Sequence, residues 1–290
     1  MTATVREKAI RDFSVRPLTE HTGSEVTGLD LRGEINAKTK RRLNAALVER
    51  CCLVFRDQNL SPADFLRAAE IFGTPTRQNY SRYQLPDQPL INELSNLQLG
   101  AGGKRVYHNA YWHTDHTNRE CPPKCTVLYA QELPDRGGET GILNARAAYA
   151  ALPEPMKCRL DGLQTFNVQR GSAAKQGSMR HAAGGDMKHF ETPTPHPLVR
   201  THPETGTKAI FFHRGKVENI TGLTPQESQD LLDEIMIVIE QPQFIYSHRW
   251  QLGDVFIWDN RAALHIANSN YDLSQRRVLH RIILEGDRPF

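Results

Sequence analysis

Three side chains that can bind a metal stand close together near the middle of the chain, in the stretch AYWHTDHTNRE. His113 and Asp115 are two residues apart, so on a strand, or on the loop just after one, both side chains can lie on the same face. An imidazole and a carboxylate placed in this way form half of a two-histidine, one-carboxylate facial triad, which binds Fe(II) and leaves coordination positions open for reactants. The same two residues could also be a hydrogen-bonded pair at a strand end.

The third ligand of such a triad should be a distant histidine, because an antiparallel barrel brings remote strands together. The best candidate is His265, which follows a strand and a Trp-Asp-Asn turn in DVFIWDNRAALH. On the next strand, Arg277 and Arg281 are four residues apart and therefore share a face. A buried unpaired charge is very costly, so two guanidiniums pointing into a barrel should be answered by anions, one from a cosubstrate and one from a substrate.

The elements that must position these residues are mostly short strands. They are rich in β-branched and aromatic residues and bounded by Gly, Pro or Asp: CLVFR, LINELS, CTVLYAQEL, PLVRTH, KAIFFH, FIYSHRW, DVFIWD and RRVLHRIILEG. Two helices are predicted from capping signatures, SPADFLRAAEIFG after Ser61 and TPQESQDLLDEIMIVIEQ after Thr224. Two further segments predict helices, NAKTKRRLNAALVER and NARAAYAALPEPMKCRL.

The order of these segments predicts the fold class. Helices do not separate the β segments regularly, which argues against a parallel βαβ array and favours an antiparallel double sheet decorated by helices. No repeat or linker divides the chain, so we expect a single domain over residues 1–290. The Gly-rich stretch RGSAAKQGSMRHAAGGDMKHFETPTP is long for a loop, and we expect a mobile lid at 170–195.

Charge and cysteine use exclude several classes of partner. The net charge is +3, and the basic residues are scattered, so neither nucleic acid nor a membrane is expected. The N-terminus has no apolar signal region, and no run is long enough to span a bilayer. Five cysteines, two of them adjacent, favour reduced thiols in the cytoplasm. CPPKC could be half a zinc site, but it is also typical of a proline-stiffened loop.

Four motifs occur in order and at appropriate spacing: WHTD, ELPDRGGET, WDNRAALH and YDLSQRRVLHR. Together they resemble the taurine/2,4-dichlorophenoxyacetate (TauD/TfdA) dioxygenase family, whose members depend on Fe(II) and 2-oxoglutarate. The resemblance extends from about SVRPLTEHTGSEVTGLDL to the C-terminus. It implies a mainly β fold with inserted helices around a double-stranded β-helix (jelly-roll) core, with Fe(II) as the metal and 2-oxoglutarate and dioxygen as cosubstrates.

The resemblance also implies roles for particular residues. His113, Asp115 and His265 would bind the iron. Thr140 would donate a hydrogen bond to the distal carboxylate of 2-oxoglutarate, and Arg277 would pair with that carboxylate in bidentate fashion. The adjacent Arg276 is the rival of Arg277 for this register, and Thr140 could be an ordinary strand residue.

Five further positions are implicated in substrate binding. Arg281 would hold the anionic group of the substrate, unless it pairs with a protein carboxylate, and Asn109 would contact the substrate. The taurine enzyme has a histidine where this chain has Gln78, and aromatic residues where it has Ser172 and Lys216. The pocket is therefore expected to be roomier and more polar, which argues against taurine itself, and Lys216 beside Arg281 would suit a dianion.

The remaining histidines and tryptophans are interpreted as structural. His116, His202 and His280 are read as non-ligands, since His280 alternates away from the two arginines on its strand. Trp112 and Trp258 are expected to pack around the iron.

The predicted reaction is oxidation, by hydroxylation, of an unactivated C–H bond in a small anionic sulfonate, carboxylate or phosphonate, releasing succinate and CO2. Desaturation or oxidative rearrangement stays open, because these reactions begin by removing the same hydrogen. A non-catalytic metal sensor would not need both Thr140 and Arg277. A zinc hydrolase would need a general base beside a metal-bound water, which these motifs do not provide. The chain could also form a homo-oligomer.

Overall fold

The computed structural model describes residues 13–78, 83–98, 111–172 and 192–290, and these residues form a mainly β fold with inserted helices. The strands in chain order are β1 (Ser14–Pro17), β2 (Ser24–Thr27), β3 (Cys52–Phe55), β4 (Pro75–Thr76), β5 (Gln84–Leu85), β6 (Gln88–Ser95), β7 (Cys125–Glu132), β8 (Thr140–Asn144), β9 (Gln164–Asn167), β10 (Thr194–Pro197), β11 (Val199–Thr201), β12 (Lys208–Ile210), β13 (Val217–Ile220), β14 (Ile245–His248), β15 (Val255–Asp259), β16 (Ala263–Ala267) and β17 (Val278–Leu284). The helices are α1 (Ala37–Arg50), α2 (Pro62–Glu70), α3 (Ala145–Ala150), α4 (Glu154–Leu160) and α5 (Pro225–Ile239).

The largest sheet has the order β1-β2-β3-β15-β7-β17-β6-β5, with β4 paired to β17. Its strands pair in antiparallel fashion, except for the parallel pair β2–β3. A smaller antiparallel sheet, β14-β8-β16, carries residues that line the same internal cavity as β7, β15 and β17. The two sheets therefore enclose the cavity between them. This is the double-sheet jelly-roll arrangement expected from the sequence.

β3 and β15 in the large sheet are buried on both faces, which explains their continuous apolar runs CLVF and VFIW. On the outer face, Leu53 and Phe55 of β3 belong to one hydrophobic cluster with Leu43 of α1 and Phe65 of α2. On the inner face, Val54 belongs to a second cluster that includes residues of β7, β15 and β17. The helices thus cover one side of the sheet, and the other side is left to build the cavity.

Both predicted capping signatures are present as capping boxes. Ser61 and Asp64 exchange hydrogen bonds at the start of α2, and Thr224 and Glu227 do the same at the start of α5. The prediction of one helix over NARAAYAALPEPMKCRL was wrong, because the segment forms two helices, α3 and α4. Pro153 lies between them. Proline disfavours helical backbone at the residue before it and cannot donate the next helical hydrogen bond.

Several strands had no clear signal in the sequence, among them β8 (TGILN) and β16 (ALHIA). Their Gly, Ala and Asn residues have low β-propensity, and pairing within the small sheet determines their structure. Residues 173–191 of the expected lid lie outside the described residues. Of its described ends, Thr194 and Pro195 pair with β9. The single domain over 1–290 and the lid at 170–195 both stay predictions.

Candidate active site

Two histidines and an aspartate meet where the small sheet approaches the large one. His265 lies on β16, and its backbone exchanges two hydrogen bonds with His113, of 3.0 and 2.7 Å. Asp115 follows two residues later, and the ligand atoms of all three buried side chains lie within 4.8 Å of one another. Nε2 of His265 is 3.9 Å from Oδ1 of Asp115, too far for a hydrogen bond.

The protonation of these side chains suits a divalent metal. Nδ1 of His113 lies 2.9 Å from the carbonyl oxygen of Tyr111, which can only accept, so Nδ1 carries the proton and Nε2 keeps its lone pair. Burial lowers the pKa of His113, and it lowers the pKa of His265 to about 3. Burial works to raise the pKa of Asp115, but its electrostatic interactions with neighbouring groups, His265 first among them, outweigh burial and hold that pKa well below its usual range. Two neutral imidazoles and one carboxylate are the donor set that Fe(II) takes in facial triads.

A directed chain of hydrogen bonds orients the carboxylate of Asp115. The indole Nε1 of Trp258 donates to Oδ1 of Asn260 over 3.0 Å, and Nδ2 of Asn260 donates to Oγ1 of Thr126 over 3.0 Å. The Thr126 hydroxyl then donates to Oδ2 of Asp115 over 2.6 Å, which leaves Oδ1 facing His265. The Trp and Asn of the Trp-Asp-Asn turn therefore position a ligand from a different part of the chain.

The aspartate of the same turn has a structural role. Asp259 is fully buried and accepts hydrogen bonds from Nε2 of His202 (3.1 Å) and from the guanidinium of Arg261 (2.9 and 2.7 Å). Arg261 also donates to Glu204 over 2.7 Å. His202 therefore forms a hydrogen bond with a buried carboxylate, which is a structural role and not that of a metal ligand.

The triad opens into a cavity of about 90 Å³ between the two sheets, with Thr140, Arg277, Leu279 and Arg281 among the other residues that line it. Residues 277, 279 and 281 face inward and His280 does not, as strand alternation requires. A larger cleft of about 640 Å³ opens beside α3, but none of the residues lining it belongs to the triad. Chemistry rather than size identifies the candidate site.

Arg277 is buried and held by a neutral group. Its Nε and Nη2 donate to the carbonyl oxygen of Gly138 over 3.2 and 3.0 Å, and within the described residues no carboxylate lies close enough to form an ion pair with it. Burial lowers its pKa. Gly138 has a φ of +71°, and a Cβ there would lie 3.0 Å from Nε of Arg277. Arg276, by contrast, pairs with Glu132 at the surface.

Thr140 and Arg281 also form hydrogen bonds with neutral side chains. Nε1 of Trp250 donates to Oγ1 of Thr140 over 3.1 Å. Nε of Arg281 donates to Oε1 of Gln78 over 2.6 Å, and Nε2 of Gln78 returns a hydrogen bond to the Arg281 carbonyl over 3.0 Å. Gln78, expected to touch the substrate, is therefore placed as the partner of Arg281.

Two further expected substrate residues, Lys216 and Ser172, are not among the residues that line the cavity. Nζ of Lys216 is buried and donates to Oε1 of Gln169 over 3.1 Å, and burial lowers its pKa to about 8. The Ser172 hydroxyl lies 3.3 Å from Nε2 of Gln229 on α5. Asn109 lies outside the described residues.

Sequence reasoning missed the supporting residues Thr126, Asn260, Trp250 and Gly138. Asn260 and Gly138 stand inside the motifs WDNRAALH and ELPDRGGET, and that position is a signal that could have found them. Thr126 and Trp250 carry no local signal, because their partners are distant in the chain.

The chain is similar over most of its length to a family model and to characterised relatives. Residues 14–283 match the family model described as "Taurine catabolism dioxygenase TauD, TfdA family". The (S)-phenoxypropionate/alpha-ketoglutarate-dioxygenase of Sphingobium herbicidovorans is 35% identical, covering 95% of this chain and 96% of the relative. The alpha-ketoglutarate-dependent 2,4-dichlorophenoxyacetate dioxygenase of Cupriavidus pinatubonensis is 31% identical, covering 91% and 95%.

A solved structure supports the fold over the same length. The crystal structure of AAD-2 in complex with Mn(II) and N-oxalylglycine superposes with a TM-score of 0.79 at 30% identity, covering 96% of this chain and 99% of that one.

Proposed function

Because the chain belongs to the TauD/TfdA family of dioxygenases, we propose that His113, Asp115 and His265 bind Fe(II) and that the enzyme oxidises a small organic anion. The chain is a 2-oxoglutarate-dependent dioxygenase. The observation that carries the proposal is the buried triad of two neutral imidazoles and one carboxylate, which opens onto a cavity also lined by Thr140, Arg277 and Arg281.

The overall reaction balances as substrate C–H, 2-oxoglutarate and O2 giving substrate C–OH, succinate and CO2. Bound Fe(II) would supply the redox chemistry that couples loss of CO2 from 2-oxoglutarate to oxidation of the substrate. The protein supplies position, charge and a cavity that excludes bulk water. The Asn260–Thr126 chain holds the Asp115 carboxylate in one orientation, and the Tyr111 carbonyl fixes the His113 ring.

Arg277 and Thr140 would bind the distal carboxylate of 2-oxoglutarate. The two side chains come from opposite sheets and line one cavity. A guanidinium bonded only to a carbonyl oxygen keeps its full charge for a ligand, and a planar fork matches a carboxylate in bidentate fashion. Arg276 cannot take this role, because its guanidinium is engaged by Glu132 at the surface.

Arg281 would hold the anionic group of the primary substrate. It faces the same cavity four residues beyond Arg277, and its Nε donates a hydrogen bond to Gln78 over 2.6 Å. The buried ammonium of Lys216 is one of the groups that help to lower the pKa of His113, so it adds positive charge near the triad. The substrates named for the two relatives, phenoxypropionate and 2,4-dichlorophenoxyacetate, are carboxylates. We therefore propose a small carboxylate, sulfonate or phosphonate as the substrate and hydroxylation as the outcome.

The metal assignment is tested by ligand replacement. Anaerobic addition of Fe(II) and 2-oxoglutarate should produce a weak metal-to-ligand charge-transfer band in the visible. His265→Ala should abolish both this band and succinate formation. His280→Ala is the matched control, since it removes a half-buried imidazole from β17 that faces away from the cavity. A full band in His265→Ala would show that the triad is wrong.

The substrate assignment is tested first by a screen of small sulfonates, phosphonates, carboxylates and amino acids for substrate-stimulated succinate formation. With the substrate found, Arg281→Ala should raise its KM by about ten- to hundred-fold, the loss of a charged hydrogen-bonded contact. Binding of 2-oxoglutarate should stay near wild type. Arg281→Lys should rescue poorly, because a point charge cannot replace a planar fork. A neutral best substrate would defeat the assignment. Analysis of the product separates hydroxylation from desaturation or rearrangement.

We further propose that the enzyme works in the cytoplasm, without nucleic-acid or membrane partners. All five cysteines are free thiols, which suits a reducing compartment. Among the described residues no helix has the length and apolarity needed to cross a membrane. Cell fractionation would contradict the location if it found the protein outside the cytoplasm. A homo-oligomer stays a prediction, which light scattering can check.

A further inference from the structure

The indole of Trp250 supports the cavity wall without lining the cavity. It lies two residues beyond His248, the strand partner of Thr140 across β14 and β8. The ring packs edge-on against His248, with centroids 4.5 Å apart, and against Phe256, with centroids 5.8 Å apart. This packing fixes the indole so that Nε1 reaches Oγ1 of Thr140 over 3.1 Å.

Chemistry fixes which group donates and which accepts in this hydrogen bond. An indole N–H can only donate, whereas a hydroxyl has one hydrogen to donate and two lone pairs to accept. Oγ1 of Thr140 must therefore accept from Trp250, and the hydroxyl hydrogen is left to point elsewhere. Within the described residues it has no acceptor. Thr140 lines the cavity, so that hydrogen is available to a ligand there.

A comparable arrangement of an indole, a threonine hydroxyl and a carboxylate is present at the candidate metal centre. There the donor-only indole of Trp258 acts through Asn260 to occupy a lone pair of the Thr126 hydroxyl, and that hydroxyl gives its hydrogen to the Asp115 carboxylate. At Thr140 the indole and the hydroxyl are present, but the carboxylate is not supplied by the described protein. Arg277 lines the same cavity and brings the positive charge that such a carboxylate needs.

We propose that Trp250 is a positioning residue for the cosubstrate: it sets the Thr140 hydroxyl as a donor to the distal carboxylate of 2-oxoglutarate. The inference rests on the proposed function, because it takes that carboxylate as the ligand of Thr140 and Arg277. Without the indole, the hydroxyl can rotate and turn a lone pair toward the incoming carboxylate, which is repulsive. The indole is also neutral, so it orients the hydroxyl without cancelling the charge of Arg277.

The test compares Trp250→Phe with Tyr246→Phe. Both changes remove one hydrogen-bonding group and keep an aromatic ring, and both affect the cluster around His248, since the Tyr246 hydroxyl lies 3.1 Å from Nδ1 of His248. Only Trp250 touches Thr140. Dissociation constants of 2-oxoglutarate and of 2-oxobutyrate, which lacks the distal carboxylate, would be measured anaerobically with Fe(II) by calorimetry.

Trp250→Phe should weaken 2-oxoglutarate about three- to ten-fold, the usual range for one neutral hydrogen bond, and should leave 2-oxobutyrate unchanged. Tyr246→Phe should alter neither ligand. In a Thr140→Val background, Trp250→Phe should add no further loss, because the hydroxyl that it orients is gone.

Three results would overturn the proposal while leaving the proposed function intact. They are unchanged 2-oxoglutarate binding in Trp250→Phe, equal weakening of both keto acids, and additive losses with Thr140→Val. A wild-type protein that does not bind 2-oxoglutarate at all would overturn the proposed function as well. Should Trp250→Phe fail to fold, Thr140→Ser and Thr140→Val carry the test, since equal affinity of these two variants for 2-oxoglutarate would show that the hydroxyl donates nothing.

Discussion

Arg261 and Arg277 are buried to nearly the same degree, but the protein treats their charges in opposite ways. Burial alone works to lower the pKa of both. For Arg261 the hydrogen bonds and charge of Asp259 outweigh burial and raise the pKa above its usual value, whereas for Arg277 burial prevails and the pKa is lowered. One charge is neutralised inside the fold, and the other is held by the Gly138 carbonyl and kept for a ligand.

Other arginines outside the cavity are also paired with carboxylates, whereas two polar residues that line the cavity are hydrogen-bonded to neutral groups. Arg56 pairs with buried Asp254 and in this respect resembles Arg261. Arg200 also has a carboxylate partner, Asp287, although burial still lowers its pKa. The groups behind Arg277 and Thr140 are neutral instead: a carbonyl behind Arg277 and an indole behind Thr140. A buried cation without an anionic partner reduces stability, so its presence indicates a functional ligand more strongly than burial alone does.

The largest expected effect comes from breaking the scaffold pair. Asp259→Asn should lower the free energy of unfolding by about 3–5 kcal/mol, because it leaves Arg261 buried without its main carboxylate partner. Urea unfolding at neutral pH measures this. Burial works to raise the pKa of Asp259, but Arg261 and His202 outweigh it, and the lowered pKa means that its contribution is present above the unfolded value of about 3.9 and is lost as the pH falls below it. Wild type and variant should therefore converge on acidification. If Asp259→Asn lowered the free energy of unfolding by less than about 1 kcal/mol at neutral pH, the Asp259–Arg261 pair would contribute little to stability, and the proposed difference between Arg261 and Arg277 would be wrong.

Removing Arg277 should affect the ligand rather than the fold. Arg277→Ala should weaken 2-oxoglutarate binding by about 2–5 kcal/mol, as expected for one partner of a buried, hydrogen-bonded charge pair. The unliganded protein should unfold at nearly the wild-type urea concentration, since no internal ion pair is lost. Arg276→Ala is the control, because its exposed pair with Glu132 contributes about 1 kcal/mol or less. Similar losses of 2-oxoglutarate binding in both variants would mean that the register is wrong.

The smallest expected effect comes from a substitution at Gly138, whose neutral carbonyl oxygen accepts hydrogen bonds from Arg277. Gly138→Ala should cost about 1–2 kcal/mol for its left-handed backbone and should also weaken 2-oxoglutarate, because the new Cβ lies 3.0 Å from Nε of Arg277. Gly206→Ala has a similar φ of +69° but open space around the new Cβ. It should show the stability loss alone. Equal 2-oxoglutarate affinity in the two variants, measured by calorimetry, would remove Gly138 from the description of the site.

Much of the fold could be predicted from the sequence where the signals are local. The capping boxes at Ser61 and Thr224 are complete within four residues, and β3 and β15 carry the continuous apolar runs CLVF and VFIW. β8 and β16 could not be predicted in this way, although they carry Thr140 and His265, because their pairing partners are distant in the chain. Pro153 was a local signal that the segment expected to form one helix would divide into two. The helical periodicity of its Ala and Leu residues favoured the wrong prediction of a single helix.

The sequence by itself indicated the kind of chemistry: His113, Asp115 and His265 stand in motifs that resemble those of an Fe(II)-dependent dioxygenase family, and strand alternation already put Arg277 and Arg281 on one face. Only the tertiary structure decided which polar groups stand behind them. Gly138, Gln78 and Trp250 are separated in the chain by 139, 203 and 110 residues, respectively, from the side chains they hold. A hydrogen bond depends on distance and direction in space, and spacing along the chain does not encode these once strands from two sheets have been brought together.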